Sequence, residues 1–136
     1  MNARRFLALV VALLIVAPLA AQQAASQRAA EDAEFLKGAS LPTDAGVERP
    51  KLLTDVKPKY TADALRAKIQ GDVEVQVVVN VKGEVERARV SQSLDKVFGL
   101  DNEALAAARQ FRFEAGKLNG KPVPVAVTLH LTFRLH

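Results

Sequence analysis

The sequence predicts a small α+β domain in which a three-stranded antiparallel sheet packs on two helices. Two long segments alternate between apolar and polar residues, which is the period of a half-buried strand. A short turn with a glycine follows the first of them and returns the chain as another strand. Two segments with helical spacing and capping residues complete the pattern. The predicted order is helix, strand, strand, helix, strand, with both helices on the apolar face of the sheet.

The first helix is predicted from its start and stop signals. Thr61 can cap the N-terminus, and Asp63 in the first turn interacts favourably with the helix dipole. Leu65 and Ile69 are four residues apart, so we expect both to face the sheet. Gly71 is expected to end the helix.

The first two strands are predicted as a hairpin. Residues 72–81 alternate between valines and polar residues, and only Val78 breaks the alternation. Gly83 lies in the turn, and residues 85–92 return as the second strand. The apolar positions of that strand change parity before Ala88, which a β-bulge explains. The expected core positions of the first strand are Val73, Val75, Val77, Val79 and Val81.

The second helix is predicted to start at Leu100 and to continue through Arg112. Asp101 is the expected N-cap, and Leu100 before it can pack on Leu105 as a hydrophobic staple. The helix has an apolar stripe for the core. The stripe consists of Ala104, Leu105, Ala108 and Phe111.

The third strand is predicted over residues 125–135 and belongs at an edge of the sheet. Pro122 and Pro124 precede it, and proline is tolerated at the start of an edge strand. The face opposite the apolar one carries Ala126, Thr128, His130, Thr132 and Arg134. Because the first two strands pair with each other, the third leaves one row of backbone groups open, and such a row can pair with another strand. We expect this open row to pair with a partner segment, with a second copy of the chain, or with residues 22–49 folding back.

The N-terminal region predicts export. Arg4 and Arg5 precede an apolar run over residues 6–17, and Ala20 and Ala21 offer a cleavage site, so residues 1–21 are interpreted as a signal peptide. The alternative is a retained membrane anchor. Residues 22–49 are interpreted as a linker, and residues 50–136 as the domain.

Composition excludes several kinds of site. The chain has no cysteine, so it has neither disulfides nor thiolate metal sites. The net charge of +4 falls when Arg4 and Arg5 leave with the signal peptide, which disfavours a nucleic-acid partner. His130 and His136 would lie ~20 Å apart along a strand and cannot share a metal ion. No acid–base or nucleophile motif is present. We therefore expect no enzyme activity, no cofactor and no metal.

A series of motifs runs from Pro58 to Leu135. It comprises Pro58-x-Tyr60, Gly83-x-Val85, Ala88-x-Val90, Leu100-Asp101-x-x-Ala104-Leu105, Ala107-x-Arg109-x-Phe111-Arg112-Phe113, Gly120-Lys121-Pro122-Val123 and Phe133-x-Leu135. In this order the motifs resemble those of the C-terminal domain of TonB, the energy transducer of Gram-negative envelopes. The resemblance implies a TonB C-terminal-like fold.

The resemblance also implies a partner. In the family, a short extended segment of an outer-membrane transporter, the TonB box, pairs with the edge of the last strand. The implied partner-binding residues are therefore Ala126, Thr128, His130, Thr132 and Arg134 on that strand, with Lys57, Lys59 and Tyr60 before the first helix. Arg112, Lys59 and Arg134 would supply positive charge.

Two functions follow as hypotheses. The first is a periplasmic binding module that captures an extended segment of an envelope protein by β-augmentation. Its capture of this segment would form part of TonB-dependent transport. The second is a structural or homodimeric envelope protein with no energy-transducing role. It is motivated by residues 6–21, which lack the His and Ser of a transducer helix, and by residues 22–49, which form no Pro/Lys-rich rod. Membrane contact is expected only if the N-terminal segment is retained.

Overall fold

The computed structural model describes residues 18–136. The basic pair and apolar run on which the predicted signal peptide depends lie outside these residues. Contacts along the chain divide it into one unit that ends at Asp32 and a compact unit, Ala33–His136. Within the described part, no helix has the length and apolar character required to span a membrane.

The described residues form three helices and eight strands. The helices are α1 (Leu19–Phe35), α2 (Ala62–Arg66) and α3 (Leu100–Arg109), and the strands are β1 (Val47–Glu48), β2 (Lys51–Thr54), β3 (Gly71–Val79), β4 (Val85–Gln92), β5 (Arg112–Glu114), β6 (Lys117–Leu118), β7 (Lys121–Pro122) and β8 (Val125–Phe133). The α+β class predicted from the sequence is confirmed. None of the residues of α1 is buried.

The main sheet is antiparallel and has the strand order β4-β3-β8. The predicted hairpin therefore pairs β3 with β4, and the last long strand pairs with β3. Val78 lies opposite Arg87 and Val79 lies opposite Val85, so one residue of β4 is left over at this point. That irregularity confirms the predicted bulge. The remaining strands form two small sheets, one of three strands in the order β1-β6-β7 and one of two strands, β2 and β5.

The core lies on the apolar face of the main sheet. The alternating valines of β3 are fully buried there, since period-2 side chains share one face. Residues from α2, α3, β5 and β8 close the core over them. The core residues are Ala64, Val73, Val75, Val77, Val79, Leu100, Ala104, Ala107, Ala108, Phe111, Phe113, Leu131 and Phe133.

Helix α2 differs from the prediction in length and in its buried face. Thr61 is the N-cap, as predicted, and its hydroxyl accepts a hydrogen bond from the Ala64 amide at 3.2 Å. However, the helix ends at Arg66, and Gly71 begins β3 instead of ending the helix. In so short a helix Ala64 faces the core, whereas Leu65 is 44% exposed, so the prediction for Leu65 was wrong.

Helix α3 differs at both ends. Gly99 occupies the N-cap position without a side-chain hydrogen bond, so the predicted cap at Asp101 was wrong. The carboxylate of Asp101 instead accepts hydrogen bonds from the amides of Leu94 and Asp95 in the preceding loop, each at 3.0 Å. The helix ends at Arg109 because the chain turns there to pair as β5 with β2.

Strand β3 is shorter than predicted. It ends at Val79, and the side-chain oxygen of Asn80 accepts hydrogen bonds from the amides of Lys82 and Glu84, each at 3.0 Å, within the hairpin turn. Val81 therefore lies in the turn and is 51% exposed, so its predicted core position was wrong. Val78 is fully buried on the opposite face from its neighbours in the alternation.

The segment interpreted as a linker carries regular structure. Part of it lies in α1, Ser40 forms a parallel bridge with Val125, and β1 pairs with β6. The compact unit begins at Ala33, earlier than residue 50, at which the sequence analysis places the start of the domain. Pairing with distant strands, which leaves no local periodicity, accounts for this difference.

Candidate functional site

The candidate site is the outer edge of β8. The amide of Ala126 donates a hydrogen bond to the Ser40 carbonyl at 3.0 Å, away from β3. In a strand, the backbone N–H and C=O of one residue point to the same side, and the side alternates from residue to residue. The backbone groups of Thr128, His130 and Thr132 therefore point outward, while those of the residues between them pair with β3.

This edge is open over the middle and end of β8. Among residues 18–136, β8 pairs with β3 alone apart from the bridge at its start. No hydrogen bond within that part of the chain joins the outward backbone groups of Thr128, His130 or Thr132. Their side chains are also exposed, and the Thr132 hydroxyl donates to the Asp72 carboxylate at 2.6 Å. The structure therefore contains an unpaired strand edge of the kind that accepts another strand.

The start of the same edge is covered. The Ser40 amide donates to the Pro124 carbonyl at 2.8 Å, and the Ser40 carbonyl accepts from Ala126. Ala126 is only 2% exposed, so this predicted contact residue lies under the Ser40 bridge and outside the open part of the edge.

A groove runs beside the end of β8. One cavity of about 400 Å³ and another of about 230 Å³ lie between the chain that precedes α2 and the last residues of the domain. Lys57, Pro58 and Thr132 line both. The other lining residues are Tyr60, Phe133, Arg134 and His136 in the larger cavity, and Asp55, Val56, Phe111, His130 and Leu131 in the smaller one. We call the two cavities together the β8 groove.

The β8 groove brings together most of the residues that the sequence analysis singled out. Lys57 and Tyr60 from before α2 meet His130, Thr132 and Arg134 from the last strand. They are more than sixty positions apart in the sequence, so only the fold brings them to one place. The backbone of Thr128, although it lines neither cavity, continues the same open edge.

Besides Ala126 and Thr128, two further predicted residues line neither cavity of the groove. Lys59 is exposed, but it lines neither cavity. Arg112 is in β5, opposite Thr54 of β2, and its guanidinium donates to the Phe111 carbonyl at 2.9 Å. The structure therefore does not bring Arg112 to the wall of the groove.

Tyr60 has structural contacts as well as a place in the groove. Its hydroxyl donates to the Ile69 carbonyl, and its ring stands edge-on to the ring of Phe133. The side chain is half-buried, so part of it remains accessible in the groove.

Three residues of the site, Ser40, Asp55 and His136, were not predicted from the sequence. Ser40 has no neighbouring alternation that would indicate a strand, and its pairing partner is more than eighty residues away. Asp55 and His136 each lie two positions from a predicted residue, Lys57 and Arg134, and this nearness in the sequence was the only available signal.

The fold and the open edge define a small α+β domain with a strand available for pairing. The chain belongs to the family described as Gram-negative bacterial TonB protein C-terminal, whose sequence pattern matches residues 56–135. This match spans β3, β4, α3 and β8, and it confirms the resemblance drawn from the motifs.

Relatives and solved structures agree with this assignment. Proteins called TonB from two strains of Xanthomonas campestris pv. campestris are each 35% identical to this chain over 79 residues. The aligned part is 58% of this chain and 35% of each relative, so the match covers only about a third of their length. The solution NMR structure of the Pseudomonas aeruginosa TonB C-terminal domain has a TM-score of 0.51 at 23% identity, covering 71% of this chain and 93% of that one. This likeness supports the fold.

Proposed function

We propose that this chain is a periplasmic binding module that captures an extended segment of an outer-membrane transport protein by β-augmentation. The segment adds a fourth strand to the sheet along the open edge of β8. The domain thereby takes part in TonB-dependent transport. The observation that carries the proposal is the row of outward-pointing backbone groups at Thr128, His130 and Thr132, which have no partner within residues 18–136.

Backbone pairing explains the affinity of such a site. Each outward residue of β8 offers one donor and one acceptor, and an extended ligand satisfies both without any particular side chain. Strand β8 is held in place along its other edge, because β3 pairs with it from Gly71↔Phe133 to Val79↔Val125. The ligand therefore meets a template that is already ordered, which reduces the entropic cost of binding.

The β8 groove supports side-chain recognition at one end of the edge. Lys57 and Arg134 are basic, exposed and on its walls, and Asp55 is the acidic residue among the lining residues. Lys59 lies on the same segment and adds to the positive field. We therefore expect the ligand, or the residues that flank it, to carry acidic side chains, and binding to weaken as salt rises.

Export completes the proposal. A basic start, an apolar run and small residues before Gln22 favour secretion, with cleavage near residue 21. The domain would then face outer-membrane proteins from the periplasm. If the segment is retained, the same domain is anchored in the inner membrane and faces the same compartment. N-terminal sequencing of the protein from cells distinguishes the two forms.

Titration with a TonB-box peptide tests the proposal. We expect backbone amide chemical shifts to change at Thr128, His130 and Thr132, because these N–H groups gain partners when a strand is added. A peptide of the same length with two adjacent prolines at its centre is the matched control, since it lacks backbone N–H groups on both of its edges. No change along residues 126–135 with the TonB-box peptide would contradict the proposal.

A homodimer is the second candidate, and the same open edge favours it. Two copies that pair through β8 would bury the outward groups of Thr128 and His130 against each other. Sedimentation equilibrium over a wide concentration range tests this. A mass that stays monomeric at all concentrations excludes the dimer, whereas a dimer that dissociates when the TonB-box peptide is added indicates competition for one edge.

A further inference from the structure

We propose that Ser40 is a fixed stop that confines the ligand strand to the part of the β8 edge from Thr128 to Thr132. This inference rests on the proposed function and specifies the length and position of the ligand. The stop consists of Ser40 itself, which pairs in parallel at the beginning of β8.

The bridge between Ser40 and β8 already uses the first outward N–H donor of the edge, that of Ala126. The Ala126 amide already donates to the Ser40 carbonyl at 3.0 Å, and the Ser40 amide reaches back to the Pro124 carbonyl at 2.8 Å. An added strand needs both the N–H and the C=O of each outward residue that it pairs with. Ala126 can offer its carbonyl alone, so continuous pairing begins at Thr128.

The chain before Ser40 is anchored by two arginines of β4. The guanidinium of Arg87 donates to three carbonyls at the end of α1 and just after it, those of Glu34, Phe35 and Lys37; the bond to Lys37 is 2.8 Å long. Arg89 lies over the Phe35 ring, with 4.2 Å between the guanidinium carbon and the ring centroid. Charged donors to carbonyls at and just after the helix C-terminus, together with a cation–π contact, favour this position of the chain.

The chain after Ser40 is anchored as well. Val47 and Glu48 pair with Leu118 and Lys117, and the Asn119 amide donates to the Gly46 carbonyl at 3.1 Å. Ser40 is thus held between two attachment points a few residues away on either side. A ligand that displaced Ser40 would have to break the bridge while the attachments on both sides still held the chain near β8. We therefore infer that Ser40 stays in place when ligand binds.

The open edge then sets the size of the ligand. Thr128, His130 and Thr132 are its complete outward donor–acceptor residues, and at ~3.3 Å per residue they span about 13 Å. A paired segment of about five or six residues fills this length. Longer extended segments are expected to leave the edge at Ser40, not to continue past Ala126.

Amide hydrogen exchange of the full chain, followed by NMR with and without a TonB-box peptide, tests the stop. We expect exchange at Thr128, His130 and Thr132 to slow by about tenfold or more, while exchange at Ser40 changes by less than about twofold. Faster exchange at Ser40 on addition of peptide, with protection gained at Thr128, would overturn the stop and leave the proposed function standing. No protection from Thr128 to Thr132 would overturn both.

The variant Arg87→Ala provides the second arm. It removes the donors that hold the end of α1, so exchange at Ser40 and Ala126 should accelerate in the free protein by about tenfold. With peptide, protection should then extend to Ala126. Arg66→Ala is the control, because the Arg66 side chain is 79% exposed and, within residues 18–136, forms an ion pair only with Asp63, at 3.2 Å. A footprint that still ends at Thr128 in Arg87→Ala, with Ser40 released, would show that Ser40 is not the limit.

Discussion

The ring of Tyr60 stands edge-on against the ring of Phe133, with 5.4 Å between their centroids and 81° between their planes. Tyr60 comes from the segment before α2, and Phe133 is the last residue of β8. This pair therefore joins the segment before α2 to the end of β8 within the β8 groove. It also means that a residue predicted to contact a partner has a structural role of its own.

Substitutions of Tyr60 separate two structural contributions of its side chain, the hydrogen bond to Ile69 and the ring contact with Phe133. Tyr60→Phe removes the hydrogen bond to the Ile69 carbonyl and should cost about 1 kcal/mol of unfolding free energy. Tyr60→Ala also removes the edge-on contact with Phe133, and we expect a cost of about 3 kcal/mol. Urea unfolding measures both. Equal costs for the two variants would contradict a structural role for the ring.

Asp95 is predicted to hold the loop before α3. It is only 7% exposed, and its carboxylate accepts hydrogen bonds from the amides of Val97, Phe98 and Leu100. Asp95→Ala leaves these amides without an acceptor and should lower the unfolding free energy by about 1–2 kcal/mol. Asp95→Asn keeps one acceptor oxygen and should lose less. Denaturant midpoints at neutral pH compare the three proteins.

The pH dependence of this contribution has a definite sign. Burial raises the pKa of the Asp95 carboxyl, but hydrogen bonds from the Phe98, Val97 and Leu100 amides outweigh it, so the pKa lies below its ordinary value. A lowered folded-state pKa stabilises the protein above the unfolded value of about 3.9 and loses that effect as pH falls through the folded value. The stability advantage over Asp95→Asn should therefore be complete at pH 6 and shrink below about pH 3.9. An advantage that grows on acidification would contradict this assignment.

Gly83 and Gly120 have similar backbone conformations but different surroundings, so alanine substitutions at the two positions separate backbone strain from steric clash. Both have positive φ, 79° and 84°. A Cβ at Gly83 would lie 1.8 Å from the Phe113 carbonyl oxygen, whereas at Gly120 it would meet nothing within 4 Å. Gly120→Ala should cost about 1 kcal/mol for the left-handed conformation alone, and Gly83→Ala about 3 kcal/mol or more, since backbone must move. Thermal unfolding of the two variants checks the difference; similar losses would contradict it.

Proline substitutions on β8 test which side of the strand is open. Thr128→Pro removes an N–H that points outward, so it should cost about 1 kcal/mol or less of stability but weaken TonB-box peptide binding by about tenfold. Leu129→Pro removes an N–H that faces β3, opposite Val75, and should cost about 3 kcal/mol or more. Circular dichroism melts and calorimetric titration report the two effects. Full peptide binding by Thr128→Pro would place the ligand elsewhere.

Local periodicity made the main elements predictable. The alternating valines of β3 and the alternation over residues 125–135 indicate strands because side chains of a half-buried strand repeat every two residues. The bulge near Ala88 was also visible, since it shifts that repeat by one position. The ends of elements were less predictable: Asp101 resembles an N-cap in sequence but serves the loop around Asp95.

By itself, then, the sequence determined the order of the three long strands and of α2 and α3, the apolar face of the sheet, and the open edge at its last strand. These features depend on patterns within ten or twelve residues. Only the tertiary structure decided that Ser40 covers Ala126 and that Lys57 lies beside Thr132. Hydrogen bonds and contacts between distant residues leave no periodic trace in the chain, because either partner alone is compatible with many neighbours. The extent of the edge that a ligand can use is therefore a property of the fold.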